Sequence, residues 1–156
     1  MKSLKESLLD DIDVVSDKID ARMLIEEWLR ENLRAGLSNC KISEIPNKDG
    51  KYEVSFKGYI EFKREITSLT NGMFVWANSL NDFECNNCSN LTSLEGVPKE
   101  VKGNFHCCGC SNLISLEGSP EIVQGNFDCS YCDSLKTLEV LLKQLMEIFF
   151  VRAVIV

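Results

Sequence analysis

Three Cys-x-x-Cys pairs, Cys85/Cys88, Cys107/Cys110 and Cys129/Cys132, are the residues of this 156-residue chain whose types and spacing most suggest chemistry. Eighteen residues separate Cys88 from Cys107, within the ~15–20 that separate paired cysteines in many zinc sites. Cys85, Cys88, Cys107, Cys110, Cys129 and Cys132 are therefore candidate zinc ligands, since four thiolates can hold the ion tetrahedrally and stabilise a fold around it. A thiol redox role is a weaker reading. It wants one such pair at a helix N-terminus, where the dipole lowers the thiol pKa, whereas here the pair recurs in strand-like context. A repeat explains every position without a metal. Cys85, Cys107 and Cys129 become inward strand residues, and Cys88, Cys110 and Cys132 fill the next inward position. A free cysteine packs as a small hydrophobe, and strands ~4.8 Å apart hold such residues in columns, not tetrahedra. The preferred expectation is no cofactor, with zinc as the alternative.

The single histidine, His106, adjoins Cys107. Neighbours on a strand face opposite ways, so the two cannot readily share a proton as a nucleophile and base would; His106 is expected on the solvent side. With one imidazole, hydrolytic chemistry needing a histidine base or several histidine ligands is nearly excluded. The net charge of −7, from 17 basic and 24 acidic residues, lacks the basic footprint of a nucleic-acid binder. No secretory leader is expected, because acids interrupt Met1 to Asp20 every few residues. Unpaired cysteines then fit a reducing compartment, so a cytoplasmic, non-enzymatic protein without membrane or direct nucleic-acid binding is expected.

The elements that must position these residues come from a repeat of 22. Phe83, Cys85, Cys88, Leu91, Leu94, Glu95, Gly96 and Pro98 recur as Phe105, Cys107, Cys110, Leu113, Leu116, Glu117, Gly118 and Pro120. The unit begins again as Phe127, Cys129, Cys132, Leu135, Leu138 and Glu139, and the linker residues Val101, Gly103 and Asn104 recur as Val123, Gly125 and Asn126. A 22-residue unit falls in the ~20–29 range of leucine-rich repeats, with Cys110 at their Asn/Cys position. Phe-x-Cys has the period of a short strand, Gly103 and Gly125 allow the turn into it, and Pro98 and Pro120 keep the return leg non-helical. One such unit cannot bury its own core; stacked units can. The outward strand residues Glu84, His106 and Asp128 share one repeat position and are the candidate binding residues.

The run NFHCCGCSNLISLEGSPEIVQGNFDCSYCDSLKTLE resembles leucine-rich-repeat proteins encoded by phages and prophages of gut bacteria, in which LTSLEG-P--V-G-F-C strings follow a short helical leader. The resemblance spans roughly residues 22–139 and is strongest from Phe83 onward. That family carries Asn at the ladder position where this chain has Cys88, Cys110 and Cys132. The resemblance implies an α+β protein, a short leucine-rich-repeat-like solenoid of parallel strands with an N-terminal helical cap, and a phage-related interaction role.

Four segments follow. Residues 1–38 form a helical leader and cap. In it Leu4, Leu8, Leu9, Ile12 and Val15 follow helical spacing, and a second helix, capped by Asp20 and ended by Gly36, shows Met23, Leu24, Trp28 and Leu33 on one face. Residues 39–80 form a strand-rich stretch of degenerate first repeats. Cys40, Ile42 and Ile45 lead into a Pro46–Gly50 turn, and Tyr52, Val54 and Phe56 alternate after it. Ile60 and Phe62 then stand in for Phe and Cys, with Phe74 and Trp76 in a longer connection. Residues 81–139 form the repeats, with nine acids, three bases and a net charge of −6. That acidity favours a basic protein partner, including a host protein whose nucleic-acid groove would be blocked.

Residues 140–156 break the pattern with an apolar tail, VLLKQLMEIFFVRAVIV. Codons compatible with it, read with one G placed in front, spell Gly-Ala-Pro, then Val-Asn-Gly-Asp-Phe-Phe-Cys-Lys-Gly-Cys, which restores the repeat. The tail is expected to be a frameshifted repeat. It would act as an improvised C-terminal cap, through a helix over Leu141, Leu142, Leu145 and Met146 or a strand from Phe149 to Val156, or as a homodimer contact.

Overall fold

The structure is a computed structural model that describes residues 21–34, 36–77 and 81–135 and the backbone of 152–153. The expectations placed on Leu4 to Asp20, on Leu138 and Glu139, and on the tail apart from the backbone of 152–153 lie outside those residues. The fold is α+β. A helix, α1 (21–32), precedes a 3-10 turn, Leu37–Asn39, and short strands in three sheets.

The first sheet holds β1 (Cys40–Ile42), β2 (Tyr52–Phe56) and β4 (Phe74–Trp76) in the order β1-β2-β4. β1 and β2 are antiparallel, as the turn signal at residues 46–50 predicts. Asn47 Oδ1 closes that turn by accepting the amides of Asp49 at 2.9 Å and Lys51 at 3.0 Å. Tyr52, Val54 and Phe56 are buried, so the alternation reads the right face. Phe74 and Trp76 lie in a strand parallel to β2, not in a connection, with Tyr52 opposite Phe74 and Val54 opposite Trp76. Trp76 is core, and its indole N–H donates to the Leu69 carbonyl at 2.8 Å.

The second sheet is parallel throughout, in the order β10-β9-β7-β5-β3, built from β3 (Ile60–Glu61), β5 (Phe83–Glu84), β7 (Phe105–His106), β9 (Asn126–Asp128) and β10 (Arg152–Ala153). Phe83 pairs with Phe105 and Phe105 with Phe127, so a 22-residue step brings the chain back beside itself. Their rings stack at 5.6 Å and 5.2 Å between centroids. Ile60 pairs with Phe83, which places Ile60 and Phe62 at the Phe and Cys positions. On the return leg β6 (Glu100–Val101) and β8 (Ile122–Val123) form a parallel pair with Val101 opposite Val123. Leu91, Leu94, Leu113 and Leu116 are buried with them in one core.

Gly103 and Gly125 serve close approach. A Cβ on Gly103 would run into the Asn81 carbonyl, and one on Gly125 would meet the Gly103 carbonyl oxygen at 2.6 Å. Neither residue has a positive φ, so the expected turn freedom is not what these positions need.

Helix α1 buries Ile25 and Leu29, and Leu33 just past its end is buried with them, while Met23 and Leu24 are 63% and 51% exposed. The expected face of Met23, Leu24, Trp28 and Leu33 is therefore rotated. The i, i+4 row Ile25–Leu29–Leu33 meets the core, with Trp28 beside it against Phe62 and Phe74. The end of the helix closes the free edge of β3: the Arg34 amide donates to the Glu61 carbonyl at 2.9 Å and the Lys63 amide to the Asn32 carbonyl at 2.8 Å. Gly36 is extended, at φ −70° and ψ 159°, and so does not end the helix through a left-handed cap.

Candidate functional site

The repeat fixes two kinds of column on each strand, one inward and one outward. Inward, Cys85, Cys88, Cys107, Cys110, Cys129 and Cys132 are all buried, and all eight cysteines of the chain are free. Cys110 Sγ donates to the Cys85 carbonyl at 3.0 Å, Cys132 Sγ to the Cys107 carbonyl at 3.1 Å, and Cys88 Sγ to the Lys63 carbonyl at 3.6 Å. Each thiol thus donates to a carbonyl 25 residues upstream, where the chain turns out of its strand; the Lys63 carbonyl also accepts the Ile66 amide at 3.4 Å. A backbone carbonyl needs a partner when buried, and a thiol supplies one at small volume.

These contacts bear on protonation. Interaction with Cys110, then burial, pushes the Cys85 and Cys88 thiols well up. Cys132 is raised by Cys107 and Cys110 and by burial, and Cys129 is pushed up to about 12, chiefly by burial. Cys110 is the member on which the neighbouring thiols converge, and hydrogen bonds from Cys132, Cys85 and Cys88 would favour its anion. Its sulfur nevertheless sits 3.0 Å from a carbonyl oxygen that would repel an anion, so we assign it as a protonated donor like the others. Among the described residues no group of three or more His, Cys, Asp or Glu side chains surrounds a point that could hold a metal ion.

Outward, Glu84, His106 and Asp128 stand in register, Glu84 opposite His106 and His106 opposite Asp128. Glu61 on β3 extends the row to four, a member that the Ile60/Phe83 correspondence already implied. His106 is only half-buried, yet its Nε2 is shielded and has no hydrogen-bond partner among the described residues. The expectation of a freely solvated imidazole is corrected to that extent.

The next outward row is Asn86, Cys108 and Ser130, none of them a member of a Cys-x-x-Cys pair. Cys108 lies two residues after His106 and so on the same face, a signal the period of two contains. Asn86 Oδ1 accepts the Cys108 amide at 3.0 Å, and the Ser130 hydroxyl donates to Asp128 Oδ1 at 2.6 Å with Cys108 Sγ 3.3 Å away. Burial alone would raise the Asp128 carboxyl. Hydrogen bonds from the Ser130 hydroxyl and amide, with His106 nearby, instead hold it below the usual carboxylate range. Asp128 is therefore a fixed anion on this face.

Beyond that row the chain enters the left-handed region in every repeat, at Asn87 (φ 58°), Gly109 (φ 71°) and Tyr131 (φ 56°). Asn87 and Gly109 are residues this conformation favours; a tyrosine is not. The outward face of the parallel sheet thus presents anions and hydrogen-bonding groups, with the exposed Tyr131 in the turn that follows β9. Compared with protein-family models, with characterised proteins and with solved structures, the chain has no match.

Proposed function

We propose that this chain is a non-enzymatic protein-interaction module, a short leucine-rich-repeat-like solenoid of phage-related type that binds a basic protein partner through its outward strand row. The observation that carries the reading is the in-register row Glu61, Glu84, His106 and Asp128, which sets the carboxylates of Glu84 and Asp128 on one sheet face, beside a Glu61 already paired with Arg34 at 2.7 Å. The net charge of −6 over residues 81–139 adds a long-range field of the same sign. Such a field steers a basic partner and disfavours bare nucleic acid. A host protein with a nucleic-acid groove is one partner of this chemistry. Eight free cysteines favour a reducing cytoplasm as its place of work.

Affinity capture from a bacterial host lysate tests the reading when wild type is run beside a Glu84→Lys, Asp128→Lys double variant. The expected partner is basic, elutes as salt is raised through a few hundred millimolar, and is not retained by the double variant. A partner that withstands both high salt and the double change would move recognition off this face.

A further inference from the structure

Asp128 is held more firmly than Glu84, its fellow on the outward row. Its Oδ1 accepts the Ser130 hydroxyl at 2.6 Å and the Ser130 amide at 2.9 Å. A carboxylate oxygen has two lone pairs, so these two donors fill Oδ1. The hydroxyl has a single proton, and the shorter contact to Asp128 holds it. Cys108 Sγ, 3.3 Å from the same hydroxyl oxygen, is therefore the donor in its own contact with Ser130. The line from Cys108 through Ser130 to Asp128 joins two neighbouring repeats and fixes the serine rotamer. Glu84 has Asn86 where Asp128 has Ser130, and Asn86 Oδ1 is engaged instead by the Cys108 amide at 3.0 Å.

The other oxygen is open. Asp128 Oδ2 accepts no hydrogen bond among the described residues, and it is not shielded, since His106 Nε2 is the one shielded side-chain polar atom there without a partner. Asp128 thus offers a partner one oxygen in a fixed orientation. Burial works against its ionisation, but the two Ser130 bonds, with His106 nearby, outweigh it and hold the carboxyl below the usual range. Arginine owes its advantage at a carboxylate to two parallel bonds, one to each oxygen. With Oδ1 filled, that fork meets a single acceptor. A lysine ammonium is a point charge that needs only one acceptor, so the filled oxygen takes nothing from it.

We infer that Ser130 is the specificity-determining residue of the outward row: by filling Asp128 Oδ1 it makes Asp128 a one-point acceptor, fitted to a lysine ammonium of the partner and not to an arginine fork. The inference rests on the interaction-module reading and deepens it. It is tested on the full chain with two fluorescent peptides of equal length and charge, one of lysine with glycine and one of arginine with glycine. Wild type binds the lysine peptide at least as tightly as the arginine peptide. Ser130→Ala frees Oδ1 and shifts the ratio of the two affinities toward arginine by about threefold to tenfold, the range of one added hydrogen bond. Ser130→Thr keeps the hydroxyl and the wild-type ratio, which separates the clamp from a general loss of structure. As pH is lowered, Ser130→Ala loses the lysine peptide at a higher pH than wild type, because the unclamped Asp128 takes up its proton sooner. Asp128→Asn weakens both peptides, and adding Ser130→Ala to it no longer moves the ratio. A wild type that prefers arginine, a Ser130→Ala ratio equal to that of wild type, or an Asp128→Asn chain that binds both peptides normally overturns the clamp. The row itself stands in those cases as long as the Glu84→Lys, Asp128→Lys variant loses both peptides. If that variant binds both as wild type does, or wild type binds neither, the row fails and the clamp fails with it.

Discussion

Phe105 and His106 are neighbours with opposite duties, and they show how finely the repeat divides its labour. Phe105 stacks between Phe83 and Phe127 at the centre of the array. Phe105→Ala is expected to cost about 3–5 kcal/mol, through lost transfer energy and the cavity left between two rings. His106→Ala removes a shielded nitrogen with no partner and is expected to change stability by less than about 0.5–1 kcal/mol. Chemical denaturation of the two variants checks both, and equal losses would mean that the inward face is misassigned. The thiols add a pH dependence. Raising a cysteine's folded pKa above its unfolded value means the fold favours the protonated form, so its contribution is full below the unfolded pKa and is lost as pH rises. For Cys129 that window runs from about 9 to about 12. Stability should therefore be flat through neutrality and fall above pH ~9, with thiolate absorbance appearing together with unfolding. Thiolate absorbance that rises at ordinary cysteine pKa values in the folded protein would contradict the buried, hydrogen-bonded columns.

At the scale of elements, the two ends of the parallel sheet are closed differently. At β3 the closure is by backbone hydrogen bonds from the end of α1. At β9 it is by β10, which pairs Ala153 with Phe127, 26 residues apart, where Phe83, Phe105 and Phe127 are 22 apart. The final strand thus occupies the place of a further repeat without its period. The origin of the tail in a frameshifted repeat is tested directly by the encoding DNA. Its codons for residues 140–156 are expected to spell Phe-x-Cys-x-x-Cys in the neighbouring frame; codons that do not would end the frameshift idea. Removing residues 140–156 uncovers β9 and should lower stability or produce dimers through the open edge. Cys129 and Cys132, now 9% and 8% exposed, should then react faster with alkylating reagents. A truncated chain as stable and as monomeric as the full one would deny the tail any capping or dimer role.

At the scale of the molecule, the competing reading is zinc. Protein purified without added metal is expected to contain substoichiometric zinc and to keep its melting temperature in chelator. One zinc per chain, with unfolding on chelation, would replace the thiol–carbonyl ladder with a metal framework. Much of this architecture was legible in the residues. Self-similarity at 22 and the alternation of Phe-x-Cys identified the buried Phe, Cys, Leu and Val positions and the outward Glu84, His106 and Asp128, because in a repeat each unit's neighbour is a copy of itself. Tertiary structure alone decided the rest. Met23, Leu24 and Ile25 are consecutive apolar residues, and periodicity does not choose between stripes one residue apart; docking on Phe62 and the edge of β3 selected Ile25, Leu29 and Leu33. The pairing of β4 with β2 is non-local and has no turn signal to announce it. The fixed anion at Asp128 depends on a serine two residues away whose hydroxyl turns back to it. Tyr131 reads as an ordinary exposed aromatic until its φ of 56° places it where its sister repeats carry asparagine and glycine. A period shows which residues meet their own copies; contacts between unlike segments, and the backbone angles those contacts impose, exist only once the chain has folded.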